Sequence, residues 1–126
     1  MKTYFKESEF DSPDLKGSGS KMKAELLAKL NMARHNAGIP FKINSGYRTP
    51  KHNKKVGGAS QSSHLKGLAV DIACNYSTDR FIIVNALLDA GINRIGIAKT
   101  FIHCDVDCDK HENVIWVYWY ENNKRR

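Results

Sequence analysis

One segment, Ser62–Asp71 with the sequence SSHLKGLAVD, constrains the fold of this chain more than any other. It runs into a strand pattern, in which Leu68, Val70 and Ile72 alternate with Ala69, Asp71 and Ala73. Period-two alternation places an apolar set on one face and small residues around a single carboxylate on the other. A carboxylate on a covered strand face is costly unless it is paired or bound to a cation. Gly67 lets the chain turn back, so His64 and Asp71 can approach one centre. A buried ion pair, with Arg48 as partner, is the competing account of Asp71.

A second segment, FIHCDVD from Phe101 to Asp107, alternates in the same way. It puts His103 and Asp105 on one face and Ile102, Cys104 and Val106 on the other. His64, Asp71 and His103 together offer two imidazoles and one carboxylate. Three protein ligands with a fourth position left for water is the pattern of a catalytic zinc site. Other groupings fit less well. Asp105, Asp107 and Asp109 alternate as in a calcium loop, but that loop needs Gly and Glu where this chain has Lys110 and Trp116. Cys104 and Cys108 with His111 could ligate a structural zinc, except that a strand would point Cys104 away from His103. His52-Asn53-Lys54 reads as a turn.

Elsewhere the pattern is that of one α+β domain over residues 1–126. Residues 1–19 form an irregular arm whose Phe5 and Phe10 need burial, joined through the flexible stretch KGSGS to a helix over Ser20–Ala37. Met22, Leu26, Leu30 and Ala33 stripe that helix, Ser20 is its expected N-cap and Gly38 its stop. A short strand over Phe41–Ser45 follows. Residues Gly46–Ser63 are an ordered loop with one helical turn near Lys51–Lys55, and loops this long in compact domains are usually functional. A helix over Thr78–Ala90, capped by Ser77 or Thr78 and stopped by Gly91, precedes a hairpin of Arg94–Ala98 and Phe101–Asp105 and a last strand, Val114–Tyr120. Helices packed on a mostly antiparallel sheet are expected. Tyr47, Trp116 and Trp119 read as packing residues, with one of them available as a cleft wall.

Ser62, His64, Gly67, Ala69 and Asp71 fit the signature Ser-x-His-x-x-Gly-x-Ala-x-Asp. In this the chain resembles the zinc D-Ala-D-Ala carboxypeptidase and L-alanyl-D-glutamate endopeptidase family, whose fold is shared with the hedgehog signalling domain. The upstream SGYRTPKHNKKVGGASQSSH, the downstream Gly96, Ile97 and FIHCD, and an opening like Phe-x-x-Ser-Glu-Phe of compact, phage-type members extend the likeness over nearly the whole chain. The resemblance implies one catalytic Zn2+ held by His64, Asp71 and His103, with Arg48 clamping a substrate carboxylate or carbonyl. A planar guanidinium suits that role because it pairs bidentately. One position departs from the family: where many members carry an acidic residue or histidine shortly before the last ligand, this chain has Thr100 and Phe101. Asp105 is the nearest carboxylate on the face of His103, so it is assigned as general base or as the partner that orients His103. Gln61 and Ser62 are candidate substrate-binding residues.

The function expected is hydrolysis of a peptide bond in the peptidoglycan stem peptide by a monomeric enzyme of endolysin type. The residues at the start, MKTYFKESEF, lack the apolar run of a secretory signal, so synthesis in the cytoplasm of a phage-infected bacterial host and release to the wall are expected. Three cysteines, an odd and small number, fit a reducing compartment. No stretch reaches the roughly 18 apolar residues of a membrane span. The net charge of +7 suits an anionic wall, and also nucleic acid. Two alternatives stand: a zinc-retaining binding domain without catalysis, and a nucleic-acid-binding protein supported by charge alone.

Overall fold

Alternating strands of this chain assemble into one five-stranded sheet, seen in a computed structural model that describes residues 2–118. The strands are β1 (Ile43–Ser45), β2 (Ala69–Ala73), β3 (Arg94–Ile97), β4 (Phe101–Asp105) and β5 (Val114–Val117), in the order β1-β2-β4-β3-β5. All pairings are antiparallel except β3 with β5, which is parallel. The helices are α1 (Ala24–Ala37), α2 (Pro50–Lys55) and α3 (Ser77–Asp89).

Leu26, Leu30 and Ala33 of α1 and Ile83, Ala86 and Leu87 of α3 form the helical half of the core. Val70, Ile72, Ile95, Ile102 and Cys104 supply the sheet half. A buried Leu or Ile contributes about 1.5–3 kcal/mol relative to exposure, so this one face holds the fold together. The alternate residues of the same strands face the opposite side. In register across the sheet lie Ser45, Asp71, His103, Gly96 and Trp116, and the next row holds Ala69, Asp105, Arg94 and Val114. The expected α+β architecture is what forms.

Several boundaries differ from expectation for identifiable reasons. α1 begins at Ala24 and not at Ser20, because Ser18–Lys21 is a separate 3-10 turn. The Asp11 carboxylate accepts from the N–H groups of Gly17 (3.0 Å) and Gly19 (2.7 Å) and draws the KGSGS stretch into that turn. The stretch is therefore tied down, with Ser18 and Gly19 buried. Lys23 is the N-cap of α1, without a side-chain bond, while Gly38 ends it in the left-handed conformation as expected. α3 likewise starts at Ser77 behind Tyr76, so neither Ser77 nor Thr78 is its cap. Phe41 is buried but precedes β1. The arm buries Phe10 in the core, and Phe5, half-buried, packs on its ring at 5.6 Å between centroids. Trp119 and Tyr120, expected in the last strand, lie outside the described residues.

Candidate metal centre

Ser62 caps a 3-10 turn, Ser63–Lys66, by accepting from the His64 N–H at 3.2 Å. Gly67 closes that turn at φ 71°. A Cβ there would lie 2.2 Å from the Lys21 carbonyl oxygen, so glycine is needed for space as well as for conformation. The turn aims the imidazole of His64 back over β2. Its Nδ1 donates to the Gly46 carbonyl oxygen at 2.8 Å, which leaves Nε2 facing Asp71 Oδ1 at 3.3 Å. Strand pairing brings the third group, since Asp71 and His103 are register partners and His103 Nδ1 lies 2.9 Å from the same oxygen. The far nitrogen of His103, Nε2, lies 2.7 Å from Asp105 Oδ2.

His64, Asp71 and His103 are all buried, and one donor atom from each lies within 4.8 Å of the other two. Among the described residues this is the one such group of three; Cys104 and Cys108 do not join His111 in another. Two imidazoles and a carboxylate suit zinc. The outer nitrogen of each imidazole is engaged by an acceptor, the arrangement that fixes the tautomer and plane of a metal-binding histidine. The residues present therefore fit the metal.

The electrostatics follow from burial and pairing. Burial works to raise the Asp71 carboxyl, but the charge of His64 and the bonds to both imidazoles hold it well below the usual carboxylate range. Burial dominates at His64 and lowers it, against the opposing pull of Asp71. At His103 burial is outweighed by the bonds to Asp105 and Asp71, and its pKa is raised to about 8.

Arg48 borders this group, and the ion pair with Asp71 raised as a competing account is present as well. Its Nη2 is 3.4 Å from Asp71 Oδ2, its Nε donates to Ser45 Oγ at 3.0 Å and its Nη1 to Asn53 Oδ1 at 3.2 Å. Asn53 sits on α2, whose N-cap is Thr49, and packs so closely that a Cβ at Gly58 would lie 2.0 Å from its Oδ1. Ser62 lines the cleft that holds these groups. Gln61 is exposed, with its carbonyl oxygen accepting from Lys110 Nζ at 2.8 Å.

Asp105 is 1% exposed. Its Oδ2 meets His103, and its Oδ1 accepts from Arg94 Nε at 2.7 Å and from the Asp107 N–H at 3.1 Å. Burial is the largest influence and works to raise this carboxyl too, but the bond and charge of His103, the Asp107 N–H and the Arg94 guanidinium together outweigh it, so it stays below its ordinary value. The sequence reading missed Arg94 and the contribution of Asn53. Arg94 was findable in principle, since period-two alternation puts it on the face of Gly96. The strand register that sets it opposite Asp105 has no such signal.

Trp116 stands over the metal group as a wall. Its ring is 5.5 Å from that of His103, and Gly96 makes room for it: a Cβ there would lie 2.6 Å from the indole. No helix among the described residues is long and apolar enough to cross a membrane.

No curated protein matches the chain. The family model of Peptidase M15 matches residues 3–105, from the arm to the end of β4, and the matched span contains all three members of the His-Asp-His group. By that match the chain belongs to the peptidase M15 family.

Proposed function

We propose that this protein is a zinc metallopeptidase that hydrolyses a peptide bond in the stem peptide of bacterial peptidoglycan. The observation that carries the reading is the convergence of His64 Nε2, Asp71 Oδ1 and His103 Nδ1, with both outer imidazole nitrogens already engaged. Zinc bound there would polarise a carbonyl and lower the pKa of water to about 7. The chain's own residues do the rest. Arg48, pinned by Ser45, Asn53 and Asp71, keeps N–H groups in reserve for a substrate carboxylate or carbonyl. Trp116 and Phe101 line the cleft and give it apolar walls. Ser62, and Gln61 beside it, are the substrate-facing residues of the loop before His64. Asp105 is assigned the orienting role and not that of the base, because both of its oxygens are held. A net charge of +7 supports retention on an anionic wall, weakening as salt is raised. A lytic role of endolysin type, carried out by a monomer, follows from the likeness to compact, phage-type members.

One observation favours the alternative of a zinc-retaining binding domain. Among the described residues lining the cleft, Asp71 and Asp105 are the carboxylates, and both are committed. Digestion of purified peptidoglycan, with and without chelator, separates the two. Chelator-sensitive release of amino groups, with the products identified by mass spectrometry, is the expected result and also tells which bond is cut. Absence of release with zinc present, at every pH from about 5 to 9, would leave the binding reading.

A further inference from the structure

Arg94 has no part in the chemistry assigned above, yet it is committed on three sides. Its Nε donates to Asp105 Oδ1 at 2.7 Å, its Nη1 donates to the His111 carbonyl oxygen, and its guanidinium lies over the Trp116 ring at 5.1 Å. The side chain is 13% exposed. Arg94 and Asp105 are register partners on β3 and β4, so the pair is built into the sheet. Asp105 in turn meets His103 at 2.7 Å.

A carboxylate oxygen held by a short bond from a charged donor is fixed more firmly than one held by a longer bond from a neutral donor alone. Without Arg94, Oδ1 of Asp105 keeps the 3.1 Å bond from the Asp107 N–H and loses its charged partner. Arginine meets the geometric demand better than lysine, because its fork can bond Asp105 and the His111 carbonyl at once while its plane stacks on an indole. Gly96, two residues after Arg94 on the same face of β3 and in register with Trp116, leaves the space the indole occupies. His111 and Trp116 both lie beyond the span that matches the family.

We propose that Arg94 is a positioning residue for the metal-binding imidazole: it acts through Asp105 to fix the plane and tautomer of His103, and Trp116 and the His111 carbonyl hold its guanidinium in place. The inference rests on the reading of His103 as a metal ligand. It extends the metal centre outward by a chain of contacts, His103 to Asp105 to Arg94, that ends at Trp116 on β5 and at the His111 carbonyl just before that strand.

The test is zinc affinity, measured by competition with a chromophoric chelator, for Arg94→Gln, Arg94→Lys, Asp105→Asn and the double variant Arg94→Gln/Asp105→Asn. Arg94→Gln is expected to weaken zinc about 10-fold and Asp105→Asn about 10- to 100-fold. Arg94→Lys, which keeps the charge but not the fork, is expected to lose about threefold, less than the neutral variant. The double variant should bind within about twofold of Asp105→Asn alone, because the Arg94 effect travels through Asp105. A general loss of fold would instead make the two effects multiply, and multiplication overturns the proposal. So does an Arg94→Gln protein with wild-type zinc affinity. Should Arg94→Gln not fold, Arg94→Lys on the wild-type and Asp105→Asn backgrounds decides. A loss confined to the background that has Asp105 supports the coupling, and any other pattern overturns it. His64→Ala, run beside these, keeps the two failures apart. If it too retains full zinc affinity, the metal-centre reading falls; if it loses zinc while Arg94→Gln does not, this inference falls alone.

Discussion

A carboxylate works as a general base only if one oxygen can reach a proton in the cleft. Asp105 has Oδ2 against His103 and Oδ1 against Arg94, which is the geometry of a group that holds a ring in place. The two roles predict different kinetics. For an orienting residue, Asp105→Asn weakens zinc about 10- to 100-fold, but kcat measured with zinc saturating falls less than about 10-fold. For a base, kcat at saturating zinc falls by about 100-fold or more. The first pattern is expected, read from initial rates on a purified muropeptide across a zinc titration. A second carboxylate, Asp107, makes a prediction about pH. Burial works to raise it, but the Ser63 hydroxyl at 2.6 Å and Lys66 Nζ at 3.1 Å hold it below its ordinary value. A folded-state pKa below the unfolded one means stability that is present above the unfolded value and lost as pH falls through the folded one. Melting temperature should therefore drop as pH is lowered below about 4, and Asp107→Asn should flatten that acid limb. An unchanged acid limb in the variant would remove Asp107 from the account.

Loops and turns place what the strands alone cannot. Arg48 stands between β1 and α2, and the arm reaches over to hold that junction. Tyr47 N–H donates to the Phe10 carbonyl oxygen at 2.9 Å, and Thr49 N–H to Ser12 Oγ at 3.2 Å. Thr49 Oγ1 donates to Asp14 Oδ2 at 2.6 Å while accepting from the His52 N–H at 3.1 Å, so one hydroxyl caps α2 and ties it to the arm. Thr49→Val loses both bonds and should cost about 1 kcal/mol of stability. Because α2 carries Asn53, which holds Arg48, the same change should raise KM more than it lowers kcat. Thr49→Ser, which keeps the hydroxyl, should restore both; a serine variant as impaired as the valine one would exclude the cap. Such ties mark where the sequence stops being readable. Alternation around Asp71 and His103 is a local pattern, and it correctly separates the core face of β2 and β4 from the cleft face. Spacing then brings His64 to Asp71 through Gly67. The pairing of β3 with β4 and of β5 with β3 joins residues remote along the chain. Nothing local reports that Gly96 lies between His103 and Trp116, or that Asp11 bends the KGSGS stretch out of the first helix.

At the scale of the whole molecule, the sheet divides the labour between its faces. Leu26, Leu30, Ile83 and Leu87 press on one side with Val70, Ile72, Ile102 and Cys104, while His64, Asp71, His103, Asp105, Arg94 and Trp116 gather on the other. Burial of apolar surface is the dominant favourable term in folding, and here none of it depends on the metal group. The metal-free protein should therefore fold, unlike small domains whose only core is their zinc site. On the proposed reading the cleft face should still gain from zinc, because a ligand that binds only the native state stabilises it by mass action. Free zinc at about 100 times its Kd adds about 2.7 kcal/mol. For a domain of this size that raises Tm by on the order of 10 °C. Calorimetry with chelator and then with zinc restored should show two cooperative transitions separated by about that interval. Far-ultraviolet circular dichroism below the first transition should be the same in both. His64→Ala, which removes one ligand and leaves the core face untouched, should melt at a temperature that zinc does not change. A chelated protein without a cooperative transition would mean that the core face cannot stand alone, and a wild-type Tm indifferent to zinc would mean that the cleft face does not bind it.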